Sequence, residues 1–104
     1  MMDFSGNDAK AKEIALHYAQ QLGDTQVLEM LQQDLHVRDA VEAKHLARFF
    51  WAMLDQSALD AEQGVLVCGE VNSQYWMERL LNIIGGYLQK SGYGEQWQSV
   101  CDEM

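Results

Sequence analysis

The stretch from residue 39 to residue 54, DAVEAKHLARFFWAML, limits most strongly what this chain can fold into. On a helical wheel, five apolar residues form one stripe and two lie on its shoulders: Ala43, Leu46, Ala47, Phe50 and Leu54, then Trp51 and Met53. This arc covers nearly half of the circumference, more than a helix resting on one neighbour needs. Asp39 and Glu42 have the spacing of a capping box, with Asp in place of Ser or Thr. We therefore predict a central helix over about residues 39–56, packed from two sides.

Before this helix, the apolar spacing predicts two more helices. The first covers about residues 8–22, and Gly23 follows where a C-terminal glycine cap belongs. Asp24 or Thr25 then caps a short second helix. Residues 1–7 are expected to form a flexible N-terminus.

The segment after the central helix has two interpretations. Ser57 is suited to cap a new helix with four residues on one face, namely Ala58, Ala61, Val65 and Cys68. The apolar run at 65–68 also fits a buried strand, but no other segment resembles its partner, so a strand at 65–71 would have to pair with a second copy of the chain. We favour the helix.

Two helices are predicted at the C-terminal end. A long one begins at Asn72 or Ser73 and ends near Lys90, and a short one containing Trp97 closes the chain. The glycines at 85–86 lie off the apolar stripe of the long helix, which a close helix crossing, a kink or chance would explain.

Length and composition fit this arrangement. The 104 residues suffice for one domain, 48% are hydrophobic, and proline, the commonest helix breaker, is absent. We predict a single all-α domain over residues 1–104, a small bundle of four to six helices.

The charge balance limits the partners. Seven Lys and Arg against sixteen Asp and Glu give a net charge of -9, the wrong sign for direct binding to nucleic acid or an anionic membrane. The turn at 19–25 has the A-x-x-L-G pattern of a helix-turn-helix, but Glu29 occupies a position that should be apolar. Cys68 and Cys101 are too sparse for a disulfide scaffold, and neither a membrane-length apolar run nor a signal peptide is present, so we expect a cytoplasmic protein.

No catalytic motif stands out. Glu42 and His45 have the Glu-x-x-His spacing of di-iron bundles, but the motif occurs once and His45 lies opposite the apolar stripe, so we expect solvated residues, no metal and no cofactor. The alternative is a small helical enzyme, or a ligand- or metal-binding bundle, whose site forms only in the fold. Its candidate residues are Glu42, His45, Glu70, Glu78 and Arg79.

The acids and the aromatic residues indicate a protein-binding function instead. Four acids recur every five residues: Asp24, Glu29, Asp34 and Asp39. Phe49 lies outside the main stripe of its helix, and Trp97 lies in the short C-terminal tail. We predict a non-catalytic module of the inhibitor, immunity, chaperone or adaptor type, which binds a basic protein and in one form blocks a nucleic-acid-binding protein. Self-association as a homodimer is a further expectation.

Overall fold

The computed structural model describes residues 9–32, 36–67, 69 and 73–103, and these ranges hold five α-helices. The helices are α1 (Ala9–Gln21), α2 (Thr25–Gln32), α3 (Ala40–Glu62), α4 (Ser73–Lys90) and α5 (Gly94–Glu103). No β-strand occurs in the described part of the chain. The predicted all-α bundle of four to six helices is therefore confirmed.

Helix α3 is the central element of the bundle. It packs against α1, α2, α4 and α5, and its buried residues lie in a hydrophobic core to which all five helices contribute. The central position that the wide apolar arc predicted is thus confirmed. The helix ends at Glu62, however, which is six residues beyond the end of the predicted range 39–56.

The N-terminus of α3 carries half of the predicted capping box. The side chain of Asp39 accepts a hydrogen bond from the backbone N–H of Glu42 at 2.9 Å, as an N-cap residue does. The carboxylate of Glu42 accepts a hydrogen bond from the backbone N–H of Arg38, also at 2.9 Å. It therefore reaches one residue further back than the N-cap.

The prediction that Ser57 starts a new helix is wrong, because Ser57 lies inside α3. Its side chain is fully buried, and its hydroxyl donates to the carbonyl oxygen of Leu54 at 2.8 Å. A serine that bonds to the preceding turn needs no cap position. The chain instead leaves the helix after Glu62 through Gly64, whose φ of +70° suits glycine, and Val65 N–H donates to the Asp60 carbonyl oxygen at 2.8 Å.

The run after α3 is neither a helix nor a strand where it is described. Val65 and Leu66 are exposed, whereas Val67 is fully buried in the core. Val67 forms an isolated β-bridge, and the alternative strand at 65–71 would also involve residues 68, 70 and 71, which lie outside the described residues. The N-terminus at 1–7, predicted to be flexible, lies outside them as well.

The ends of α1 and the start of α2 match the prediction closely. Gly23 follows α1 with a φ of +70°, and the N–H of Asp24 returns to the carbonyl of Ala19 at 2.9 Å. Asp24 then caps α2, since its carboxylate accepts from the N–H of Val27 at 3.1 Å. Backbone conformation and capping chemistry agree here, so the short turn is determined locally.

One of the two glycines of α4 lies at a close helix crossing. A Cβ atom placed on Gly85 would lie 3.0 Å from the Trp97 ring of α5, whereas one on Gly86 would meet no atom within 4 Å. Of the three explanations given above, a close helix crossing therefore applies to Gly85.

Two buried hydrogen bonds tie distant segments together. Tyr18 of α1 donates its hydroxyl to the carboxylate of Asp60 at 2.8 Å, near the C-terminal end of α3. The N–H of Val37 donates to the hydroxyl oxygen of Tyr87 in α4 at 2.9 Å, which holds the segment that leads into α3. These bonds help to place the N-terminal turn of α3 beside α2.

Candidate partner-binding surface

Most of the described carboxylates lie at the surface. Twelve of the sixteen acids are in the described ranges, and nine of these are exposed: Glu13, Glu29, Asp39, Asp55, Glu62, Glu78, Glu95, Asp102 and Glu103. Asp24 is half-buried, whereas Glu42 and Asp60 are buried. The negative charge in this part of the chain is therefore available to another macromolecule.

Four acids collect where α2 meets the N-terminal turn of α3, and we call this region the α2–α3 corner. Its carboxylates belong to Asp24, Glu29, Asp39 and Glu42. Asp24 is bound in place, because both of its carboxylate oxygens lie 2.9 Å from Nε2 of His45. Glu29 and Asp39 lie close enough to Arg38 to raise its pKa, whereas Asp24 lies one helical turn further along α3, at His45.

The fourth acid of that series, Asp34, lies outside the described residues. The series itself does not follow one helix, since it passes from the cap of α2 to the cap of α3.

The side chain of Arg38 pairs with Glu42 inside the corner. Its Nη2 lies 2.6 Å from Oε2 of Glu42, and its Nε also donates to that carboxylate, at 3.2 Å to Oε2. The side-chain hydrogen bond from Arg38, followed by the bond from its backbone N–H, lowers the pKa of Glu42. The same side-chain bond raises the pKa of Arg38, and Asp39 and Glu29 raise it further. Glu42 therefore stays ionised although its side chain is buried.

The expectation that Glu42 and His45 are simply solvated is wrong for Glu42. The helical wheel places Glu42 at the edge of the apolar arc beside Met53, and Arg38, which precedes the helix, covers its side chain. His45 is half-buried and contacts Asp24.

A small cleft opens within the corner. Its volume is about 210 Å³, and six residues line it: Gln26, Glu29, Met30, His36, Arg38 and Glu42. Exposed Glu29 faces the same space as the Arg38–Glu42 pair, so the cleft holds one carboxylate beyond those that Arg38 pairs with directly.

The two aromatic residues predicted as exposed anchors are buried. The side chain of Phe49 is 4% exposed and that of Trp97 is 6% exposed. Trp97 stacks on Trp51 with ring centroids 6.3 Å apart and lies 5.8 Å from the ring of Phe50. The premise of exposure is wrong, because α3 has neighbours on several sides and α5 folds back onto it.

A different set of apolar residues reaches the surface, in what we call the α3–α4 groove. One turn of α3 and one turn of α4 line it, with Phe50, Trp51 and Leu54 opposite Met77, Glu78 and Leu81. Its volume is about 370 Å³. Phe50 and Met77 are buried at its base, Trp51 and Leu54 are half-buried, and Leu81 is exposed. The width of the α3 stripe was the sequence signal for this surface, although it did not show which residues would remain uncovered.

The residues of the alternative enzyme or ligand-binding prediction do not meet in one cavity. Glu42 lines the cleft of the corner, whereas Glu78 and Arg79 line a depression of about 200 Å³ on α4 with Tyr75 and Asn82. Glu70 lies outside the described residues, and within those residues no group of three or more His, Cys, Asp or Glu side chains could hold a metal ion.

Two further findings concern the chain as a whole. Among the described helices, none combines the length and the apolar character that crossing a bilayer requires. No protein-family model, curated protein or solved structure matches this sequence.

Proposed function

We propose that this protein is a non-catalytic binding module whose acidic surface engages a basic surface on another protein. The observation that supports this most is the exposure of nine of the twelve described carboxylates, together with the position of Glu29 and Asp39 near the same cation, Arg38, at the α2–α3 corner. Complementary charge raises the rate of encounter and selects among partners more than it adds affinity.

The sign of the charge defines the class of partner. With a net charge of -9, the chain is repelled by phosphate backbones and by anionic lipid surfaces. A protein that binds nucleic acid presents the opposite surface, a basic groove shaped for phosphates. Blocking such a groove is the most specific form of the proposal, and inhibitor, immunity, chaperone and adaptor roles are its broader forms.

The proposal also covers the location of the protein and its state of association. Two cysteines, Cys68 and Cys101, are too few for a disulfide-stabilised secreted domain, so we place the protein in a reducing cytoplasm. A homodimer remains part of the prediction. Because each copy carries the same net charge, dimers should form more readily as salt screens their repulsion.

The test begins with affinity capture from the native host and identification of the partner by mass spectrometry. Association and dissociation rates of the purified pair are then measured across ionic strengths. Since the Debye length is about 10 Å at 0.1 M salt, we expect the association rate to fall steeply and the dissociation rate to change little. Equal association rates at low and moderate salt would contradict the proposal.

A pair of matched charge variants tests the role of the corner. Glu29→Gln with Asp39→Asn removes two corner charges, and Asn retains the ability to cap α3. Glu95→Gln with Asp102→Asn removes two exposed charges from α5, so both variants have the same net charge. We expect the corner variant to associate several-fold more slowly than the α5 variant. Equal slowing in both variants would support an effect of the net charge and would show that the corner has no special part in it.

A further inference from the structure

The α3–α4 groove is an apolar surface that the packing of the described helices leaves open. Leu81 is 37% exposed, and Trp51 and Leu54 are partly exposed beside it. The volume of about 370 Å³ falls in the range of sites that accept ligands or anchoring side chains. Because each wall is one helical turn, the groove matches the i, i+3, i+4 spacing of side chains on a single amphipathic helix.

The Trp51 ring forms a fixed wall of this groove. It stacks on Trp97 with an interplanar angle of 21° and meets Phe50 edge-to-face, with ring centroids 5.2 Å apart. Its Nε1 is buried, and no acceptor for it is found among the described residues. Packing rather than hydrogen bonding therefore holds the indole, and its fluorescence should respond to an occupant of the groove.

Carboxylates flank the groove on both helices. Glu78 lines it on α4. On α3, the exposed residues Asp55 and Glu62 follow Trp51 at four and eleven positions, which places them along the same side of the helix. An occupant with cations beside its apolar face would therefore meet opposite charges on two sides.

The cation of α3 that lies nearest to the groove does not cancel the negative charge of these carboxylates. Arg48 lies one turn before Trp51, and its Nη2 is 3.5 Å from Oε1 of Glu103 in α5. Its charge is thus already opposed by a carboxylate of the same chain.

We propose that the α3–α4 groove binds the apolar face of a basic amphipathic helix presented by the partner protein. This inference rests on the proposed function and assigns that partner a binding element. A second copy of the chain fits less well, because two copies meeting here would bring the Asp55, Glu62 and Glu78 carboxylates of one near those of the other. The helix supplies apolar side chains for the groove and cations for the carboxylates beside it.

The test uses synthetic peptides without aromatic residues, so that the protein's tryptophans report binding. The main probe is a peptide of about 14 leucines and lysines, roughly 21 Å long as a helix, with leucine along one face. A second peptide has the same composition in an order that spreads leucine around the helix. A third has the leucine pattern of the first with glutamate in place of lysine.

Two protein variants locate the binding site. Leu81→Lys and Leu59→Lys each replace an exposed leucine with lysine, but only Leu81 lines the groove. We expect Leu81→Lys to weaken binding of the main probe about tenfold and Leu59→Lys to weaken it less than about threefold. Leu81→Ala, which keeps the charge and the helix propensity, should give a smaller loss in the same direction.

The outcomes separate this inference from the proposed function. Preferential binding of the main probe, with loss in Leu81→Lys, supports it. Equal losses in the two lysine variants, or equal binding of the scrambled peptide, would overturn the groove and leave the charge-based function standing. Binding of the glutamate peptide as tight as that of the lysine peptide would overturn the basic occupant and contradict the proposed function. A dimer that Leu81→Lys dissociates would identify a second copy as the occupant and also overturn it.

Discussion

Two adjacent glycines in α4 offer a sharp test of the packing between α4 and α5. In the interior of a helix, replacing glycine by alanine stabilises the fold by about 1 kcal/mol, because alanine loses less backbone entropy. A Cβ on Gly86 meets nothing within 4 Å, so Gly86→Ala should gain that amount. A Cβ on Gly85 would lie 3.0 Å from Cζ2 and 3.1 Å from Cε2 of Trp97.

The cost at Gly85 follows from the burial of Trp97. Because that side chain is only 6% exposed, the ring cannot swing into solvent and must displace its neighbours. Overpacking of this kind costs about 1–3 kcal/mol. Both variants gain the same stabilisation from the higher helix propensity of alanine, so Gly85→Ala should be less stable than Gly86→Ala by about 1–3 kcal/mol. For a domain of this size, the difference corresponds to roughly 4–20 °C in Tm.

Urea denaturation followed by far-ultraviolet circular dichroism measures both variants directly. A change in the midpoint at constant slope reports a change in stability alone. In a Trp97→Phe background, the indole atoms that crowd the Gly85 position are gone, so Gly85→Ala should become stabilising by about 1 kcal/mol. Equal stabilisation by Gly85→Ala and Gly86→Ala in the wild-type background would refute the close crossing.

Two further predictions concern buried carboxylates. Tyr18→Phe removes the hydroxyl that donates to Asp60, so we expect the free energy of unfolding to fall by about 1.5–3 kcal/mol. Tyr75→Phe changes an exposed site and should alter that free energy by no more than about 0.5 kcal/mol. Similar small effects in both variants would contradict the Asp60 contact. Because Arg38 lowers the pKa of Glu42 in the fold, the stabilisation by Glu42 is complete above its unfolded pKa of about 4.3 and is lost as the pH falls through its lower folded pKa. Stability measured from neutral pH to below about 4 should therefore fall less in Glu42→Gln than in wild type, and parallel pH profiles would contradict the pairing.

The ends of the helices were predictable from sequence wherever a cap is local. Gly23 and Asp24 determine the turn between α1 and α2 through backbone conformation and one side-chain hydrogen bond. The extension of α3 was not predictable in this way. Ser57 has the chemistry of a cap residue, and only burial shows that its hydroxyl bonds to Leu54 within a continuous helix.

The candidate surfaces were predictable only in part, because a helical wheel describes one helix without its neighbours. Charge alone indicated that most carboxylates would face solvent, since ionised groups are costly to bury. Which acids lie near one another depends on how α2 packs against α3. Trp97 shows the same limit, because its spacing with Val100 predicts a short helix but does not show that this helix packs onto α3.

The positions of the corner and the groove on α3 predict that they affect different steps of binding. Glu42 and Trp51 are nine residues apart, which is two and a half helical turns, so they face opposite sides of α3 about 13 Å apart along its axis. One straight helix in the groove cannot also fill the corner. We therefore expect Glu29→Gln with Asp39→Asn to slow association with the native partner, and Leu81→Lys to speed dissociation, with additive effects on the free energy of binding. Rate measurements that place the effect of the corner variant in dissociation would show that the corner is a contact in the bound complex rather than a source of steering.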